Sequence, residues 1–234
     1  MSLPFDVAGL ALWLVAFLLS ATCHEAAHAA AARLGGDPTA YRAGQVTLNP
    51  IPHLRREPFG MLVVPIVCYA LAGWMIGWAS APYDPRWARR HPRRAAAMAA
   101  AGPLANLALA GAAIVAIRAL VGAGLGAPPA EPGLERIVVP AVGGPFAMAG
   151  ARLLSVLALL NAMLGVFNLI PLPPLDGATV LEGLGGRAGA ALMAAARSAP
   201  MAALFGLLVA WRLFDLLAPG LFRLVLGLAQ PGLR

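Results

Sequence analysis

Five apolar segments run through this chain, and each is long enough to cross a lipid bilayer. They extend from about Val7 to Leu34, Phe59 to Ala81, Ala95 to Val121, Phe146 to Ile170 and Met201 to Leu228. A hydrocarbon core of about 30 Å needs about 20 apolar residues in helix. Only 12% of the 234 residues are charged and 60% are hydrophobic, against about 25% charged in a soluble domain. The chain therefore reads as an all-α polytopic membrane protein with about four to six membrane segments. A single integral-membrane domain covers residues 1–234, with a core at about 7–180 and a surface helix and a membrane helix at about 178–230. The lipid bilayer is its first partner.

The net charge of +7 comes from arginine alone, as lysine is absent. The arginines collect at the ends of apolar segments, as the positive-inside rule demands. No folded basic domain is left to bind nucleic acid. Cys23 and Cys68 sit singly in apolar sequence and form neither a disulfide framework nor a paired-thiol metal motif. Met1 to Asp6 lacks a positive n-region, so the first segment reads as a retained membrane helix.

That first helix carries His24-Glu25-Ala26-Ala27-His28. Histidines four apart share one helix face. They can offer two imidazole nitrogens to one zinc ion, with the intervening glutamate beside it as general base. Catalytic zinc usually takes three protein ligands, and ionisable groups in apolar sequence are few. Asp176 ends the run Asn168-Leu169-Ile170-Pro171-Leu172-Pro173-Pro174-Leu175-Asp176-Gly177, whose prolines break the helix. Spacing alone leaves two roles open for it: a third ligand, or the cap of the next helix.

Three motifs together resemble the site-2 protease family of intramembrane zinc metallopeptidases. They are His24 to His28, Gly102-Pro103-Leu104-Ala105-Asn106, and Asn168 to Gly177. Arg42-Ala43-Gly44-Gln45-Val46-Thr47-Leu48-Asn49-Pro50-Ile51-Pro52-His53 further resembles the small bacterial branch without regulatory domains. The resemblance implies one Zn2+ per chain held by His24, His28 and Asp176, with Glu25 catalytic and Asn168 near the scissile peptide. Two positions depart from the pattern. Arg55-Arg56 stand where an acidic residue is expected after His53, and Ser80 stands where a lysine is expected.

If His28 and Asp176 share a metal, the ends of the first and fourth segments lie on one membrane side. An even number of crossings must separate them, yet two complete segments and the fourth itself intervene. One fails to cross. The second contains Pro65, Gly73 and Gly77 and has arginine-rich loops at both ends, so it is expected to re-enter. This places the site nearer the cytoplasmic face of a bacterial inner or plasma membrane. Asn106 reads as a helix–helix contact, and His53 as a histidine packed in the loop after the first helix.

In that loop Val46, Thr47 and Leu48 are strand formers between turn formers, so a short β-hairpin is expected after the first helix. Val46, Thr47, Leu48 and Asn49 are the candidate substrate-binding residues, because an extended peptide can pair along such an edge. The expected substrate is a single-span membrane protein cut in or near its membrane segment. The rival class is a metal carrier or inactive scaffold. A carrier should show ionisable groups along successive spans, whereas here they converge on one place. Oligomeric state has no sequence signal.

Overall fold

The computed structural model describes residues 6–198 and 201–230. Met1 to Phe5, part of the start read as lacking a removable leader, and Ala199, the expected end of the surface helix, lie outside the described residues.

Four helices are long and apolar enough to cross a membrane: α1 (Val7–Leu34), α6 (Pro92–Gly122), α7 (Pro145–Asn168) and α10 (Ala202–Ala229). The Asp6 carboxylate caps α1 by accepting the Gly9 N–H at 2.9 Å. Proline stands in the first turn of α6 and of α7, where its missing N–H costs nothing. Helices α1, α6 and α7 pack against one another through small buried residues, among them Ala16, Ala29, Ala99, Ala110, Ala158 and Ala162. Lipid is as apolar as leucine, so helices in a membrane gain by close approach over small side chains. Helix α10 lies against α7 and covers the Ile170–Leu175 turn with Ala210 and Phe214.

The second apolar segment turns back on itself. A π-helical turn, Phe59–Val63, leads into α4 (Val64–Ala72), and Gly73 ends α4 at φ 73°. Pro65 cannot donate to the carbonyl four residues back, and the turn before it widens to π geometry. The helical stretch Phe59–Ala72 is shorter than the four spans, about 21 Å at 1.5 Å per residue. The chain then returns without regular structure beside its own start, where the Trp78 N–H donates to the Gly60 carbonyl at 3.1 Å. The two positions that depart from the expected loop pattern secure this closure. Arg56 Nε donates to the Ser80 carbonyl at 2.9 Å, and Ser80 Oγ donates to Glu57 at 2.5 Å. Two long helices, α6 and α7, therefore separate His28 from Asp176, as parity requires.

The β-hairpin expected after α1 is not formed. Two short helices, α2 (Thr39–Arg42) and α3 (Pro50–Arg56), flank a bent stretch there. Side chains satisfy the backbone in place of a ladder: Thr47 Oγ1 accepts the Asn49 N–H at 3.1 Å, and Asn49 Oδ1 accepts the Ile51 N–H at 3.0 Å. Gly44 turns at φ 71°, and Pro50 and Pro52 have no N–H to pair. The sole two-stranded sheet among the described residues joins β1 (Gly126–Ala127) to β2 (Val139–Pro140), in the connection between α6 and α7. That segment docks on the far end of the bundle. Ser155 Oγ accepts the N–H groups of Ile137 and Val138, and Trp13 donates to Glu135 at 2.6 Å. The expected surface helix is two helices, α8 (Asp176–Leu184) and α9 (Gly186–Ser198), broken where Gly186 takes φ 61°.

Asp37 ties the exit of α1 to α5 (Pro85–Arg90). It accepts the Thr39 hydroxyl at 2.5 Å and the Asp84 N–H at 2.7 Å. Burial pushes its carboxyl up. The Thr39 and Asp84 donors and the Arg42 charge more than offset this and hold it below the ordinary carboxylate value. A depressed folded pKa contributes stability above the unfolded value of about 3.9, lost as pH falls toward the folded one. Thermal melts in detergent should show Asp37→Asn less stable than wild type at neutral pH. The gap should close below about pH 4; a gap independent of pH would reject this role.

Candidate metal and catalytic centre

The two histidines of α1 lie one turn apart and meet at their Nε2 atoms, 2.9 Å from each other. The Asp176 carboxylate joins them from a site more than a hundred residues downstream. Its Oδ2 lies 3.1 Å from His24 Nε2 and 3.3 Å from His28 Nε2. The chain reaches this point because Pro171, Pro173 and Pro174 prevent α7 from continuing, and tight turns from Leu169 to Leu175 bring it back. Asp176 opens α8 without capping it; the N-cap is Leu175, with no side-chain cap bond. Of the two roles left open by spacing, the geometry has the carboxylate facing the imidazoles. Gly177 permits the turn, since a Cβ there would strike the carbonyls of Leu169 and Ile170.

The outer nitrogens of both rings are occupied. His24 Nδ1 lies 2.5 Å from Asn106 Oδ1, and His28 Nδ1 lies 2.8 Å from the Met98 carbonyl. Both partners are acceptors, so both Nδ1 atoms donate and, in the neutral rings, each Nε2 holds a lone pair. Two lone pairs and a carboxylate oxygen then converge within 3.3 Å. Such a meeting of acceptors is repulsive unless a cation or a shared proton lies among them. Gly102 leaves the room: a Cβ there would strike His28 Nε2 and come within 2.6 Å of His24 Nε2. Two neutral imidazoles and one carboxylate are a zinc donor set with an open position. The residues fit a zinc ion.

Glu25 is buried at 4% exposure, and its Oε2 has no hydrogen-bond partner among the described residues. Its carboxylate lies within 4.8 Å of the histidine ligand atoms, while Asp176 is in direct contact with both rings. A buried carboxylate oxygen without a donor is costly, so its persistence beside this cluster calls for a function.

Asn168 is not joined to the cluster by any hydrogen bond. Its amide donates to the Leu164 carbonyl in its own helix at 3.0 Å. Val46, Thr47 and Leu48 come to the metal helix by packing. With Ala26, Ala27 and Ala30 of α1 and Ala105 and Ala108 of α6 they line an apolar groove of about 650 Å³. Asn49 is absent from that lining and caps α3 instead. His53 is buried with Nε2 3.1 Å from the Thr47 carbonyl and holds the loop from beneath. The residues that sequence reasoning missed are Ser20 and Asn161, both fully buried and hydrogen-bonded to the group that holds His24. Asn106 makes the expected helix–helix contact and also supports the imidazole.

Residues 12–211 match the family model for peptidase family M50. A Bacillus subtilis (strain 168) protein named "Putative zinc metalloprotease YwhC" is 36% identical over 172 residues, which is 73% of this chain and 67% of that protein. No solved structure matches. With its four membrane-length helices, the chain is an integral membrane member of peptidase family M50, the site-2 protease family of zinc metalloproteases.

Proposed function

We propose that this protein is an intramembrane endopeptidase that hydrolyses a peptide bond in or near the membrane segment of a single-span protein. The observation that carries the reading is the buried, unpartnered Glu25 oxygen beside the His24, His28 and Asp176 cluster, deep within a membrane-length helix. His24 stands ten residues before the end of α1, about 15 Å along the axis, so chemistry there occurs below the helix end.

His24, His28 and Asp176 would hold the zinc, which when bound polarises a carbonyl and makes a water molecule acidic near neutral pH. Glu25 takes the proton of the attacking water on Oε2 and delivers it to the departing amide nitrogen. Asn106 and the Met98 carbonyl keep each imidazole oriented through the reaction. Asn168, at the end of α7, is the substrate-orienting candidate, released from the Leu164 carbonyl when a peptide occupies the site. The arginines at the His28 end of the bundle, from Arg33 through Arg94 and at Arg187 and Arg197, support an active site nearer the cytoplasmic face.

The groove beside α1 suits an unwound substrate segment. A regular helix hides its carbonyls, so the target must be extended where it is cut. The Val46 and Thr47 N–H groups have no partner among the described residues, and Leu48 is 69% exposed. They are free to pair with an extended peptide without a preformed strand.

The test is cleavage of a panel of single-span reporters by purified protein in vesicles, with and without a zinc chelator. Chelator-sensitive cleavage inside the membrane segment is expected, reduced at least tenfold by Thr47→Pro, which removes one N–H and fixes the backbone. Cleavage confined to soluble loops, or indifferent to chelator, would reject the intramembrane reading. Full activity of Thr47→Pro would reject the pairing.

A further inference from the structure

We infer that Ser20 and Asn161 are positioning residues: through Asn106 they fix the proton of His24 on Nδ1 and so keep Nε2 free to bind metal. This rests on the reading of His24 as a zinc ligand.

The direction of each hydrogen bond from Ser20 through Asn161 and Asn106 to His24 is determined by its neighbours. Ser20 Oγ donates to the Ala16 carbonyl at 2.6 Å, so what it offers Asn161 is a lone pair. Asn161 gives one amide hydrogen to Ser20 Oγ and the other to the Leu157 carbonyl, both at 2.9 Å. With both donors used, its oxygen faces Asn106 and accepts from Nδ2 at 2.8 Å. The second Asn106 hydrogen goes to the Ser20 carbonyl at 3.3 Å. Only the Asn106 oxygen remains for His24 Nδ1. An oxygen without hydrogen can only accept, so the ring proton sits on Nδ1.

Ser20, Asn106 and Asn161 are each 0% exposed, so water does not compete. A flipped Asn106 amide would set its oxygen against two acceptors, Asn161 Oδ1 and the Ser20 carbonyl, and offer hydrogens to His24 Nδ1. The imidazole would then carry its proton on Nε2, where the metal belongs. Removing Asn161 deletes one of the two penalties against the flip. The residue comes from α7, outside the three motifs, and ties the metal helix to both neighbouring spans.

Zinc affinity, measured by chelator competition on the purified full-length protein, tests the inference. Asn161→Leu and Asn106→Ala should each weaken binding about 10–100-fold. The double variant should be no weaker than Asn106→Ala alone, because both act through one contact. A packing role instead predicts wild-type affinity for Asn161→Leu with a lower melting temperature, or additive losses; either result overturns the relay. Loss of zinc in His24→Ala beside unchanged affinity in Asn161→Leu would overturn the relay alone. Wild-type affinity in His24→Ala would overturn the ligand assignment and the relay with it. A second readout needs no variant at position 161. In ¹⁵N NMR of histidine-labelled, zinc-free wild type, the His24 signals, assigned by their loss in His24→Asn, should report the Nδ1–H tautomer. The Nε2–H tautomer would overturn the inference.

Discussion

Glu25→Gln should lower reporter cleavage by about 10²–10⁴-fold, the usual contribution of a positioned acid–base group, while zinc content stays at the wild-type level. The two side chains have nearly the same shape, so the packing of α1 survives. Only the capacity to take and return a proton is lost. The prediction also separates the two carboxylates. Glu25 lies close enough to the histidines to count as a possible ligand, but Asp176 is the one in contact with both Nε2 atoms. If Glu25→Gln lost its zinc, Glu25 would be a ligand and the assignment of roles would change. Retained cleavage at the wild-type rate would remove Glu25 from the chemistry altogether.

The second large effect is expected from one methyl group. Gly102→Ala places a Cβ against both imidazole Nε2 atoms, in the space the metal would share with them. Overpacking of a well-packed interior costs about 1–3 kcal/mol when neighbours can move. Here the neighbours are two rings, each held at its far nitrogen by Asn106 or the Met98 carbonyl. Zinc binding should weaken by more than tenfold, in line with losses from disturbed metal-site geometry, and cleavage should fall to background. Gly111→Ala, on the same helix, meets nothing within 4 Å and should leave both measurements unchanged. Equal behaviour of the two variants, by elemental analysis and reporter cleavage, would show that Gly102 does not shape the site.

Much of this architecture was legible in the chain because membrane segments announce themselves by length and apolarity. The four long helices fall within a few residues of the apolar runs, and the re-entrant segment followed from parity once His28 and Asp176 were required to meet. The helix period put His24 and His28 on one face without any structure. Asp176 was different. Its partner depends on two crossings and a turn of prolines, so local spacing could not choose between ligand and cap.

The hairpin reading failed for a local reason. Val46, Thr47 and Leu48 favour strands, but the Thr47 and Asn49 side chains bond the backbone that follows, and Pro50 and Pro52 have no N–H with which to extend a ladder. Ser20 and Asn161 escaped notice because a lone serine or asparagine in an apolar helix can satisfy itself on the carbonyl four residues back. Both do so, on Ala16 and Leu157. Their remaining bonds exist only once α1, α6 and α7 are packed.

The zinc content of purified protein, wild type beside Asp176→Ala, tests the account most directly. About one zinc per chain is expected for wild type, falling more than tenfold when the carboxylate is removed. A full complement of zinc in Asp176→Ala, with His24 and His28 intact, would contradict the shared site on which the fold, the parity of its crossings and the proposed chemistry all depend.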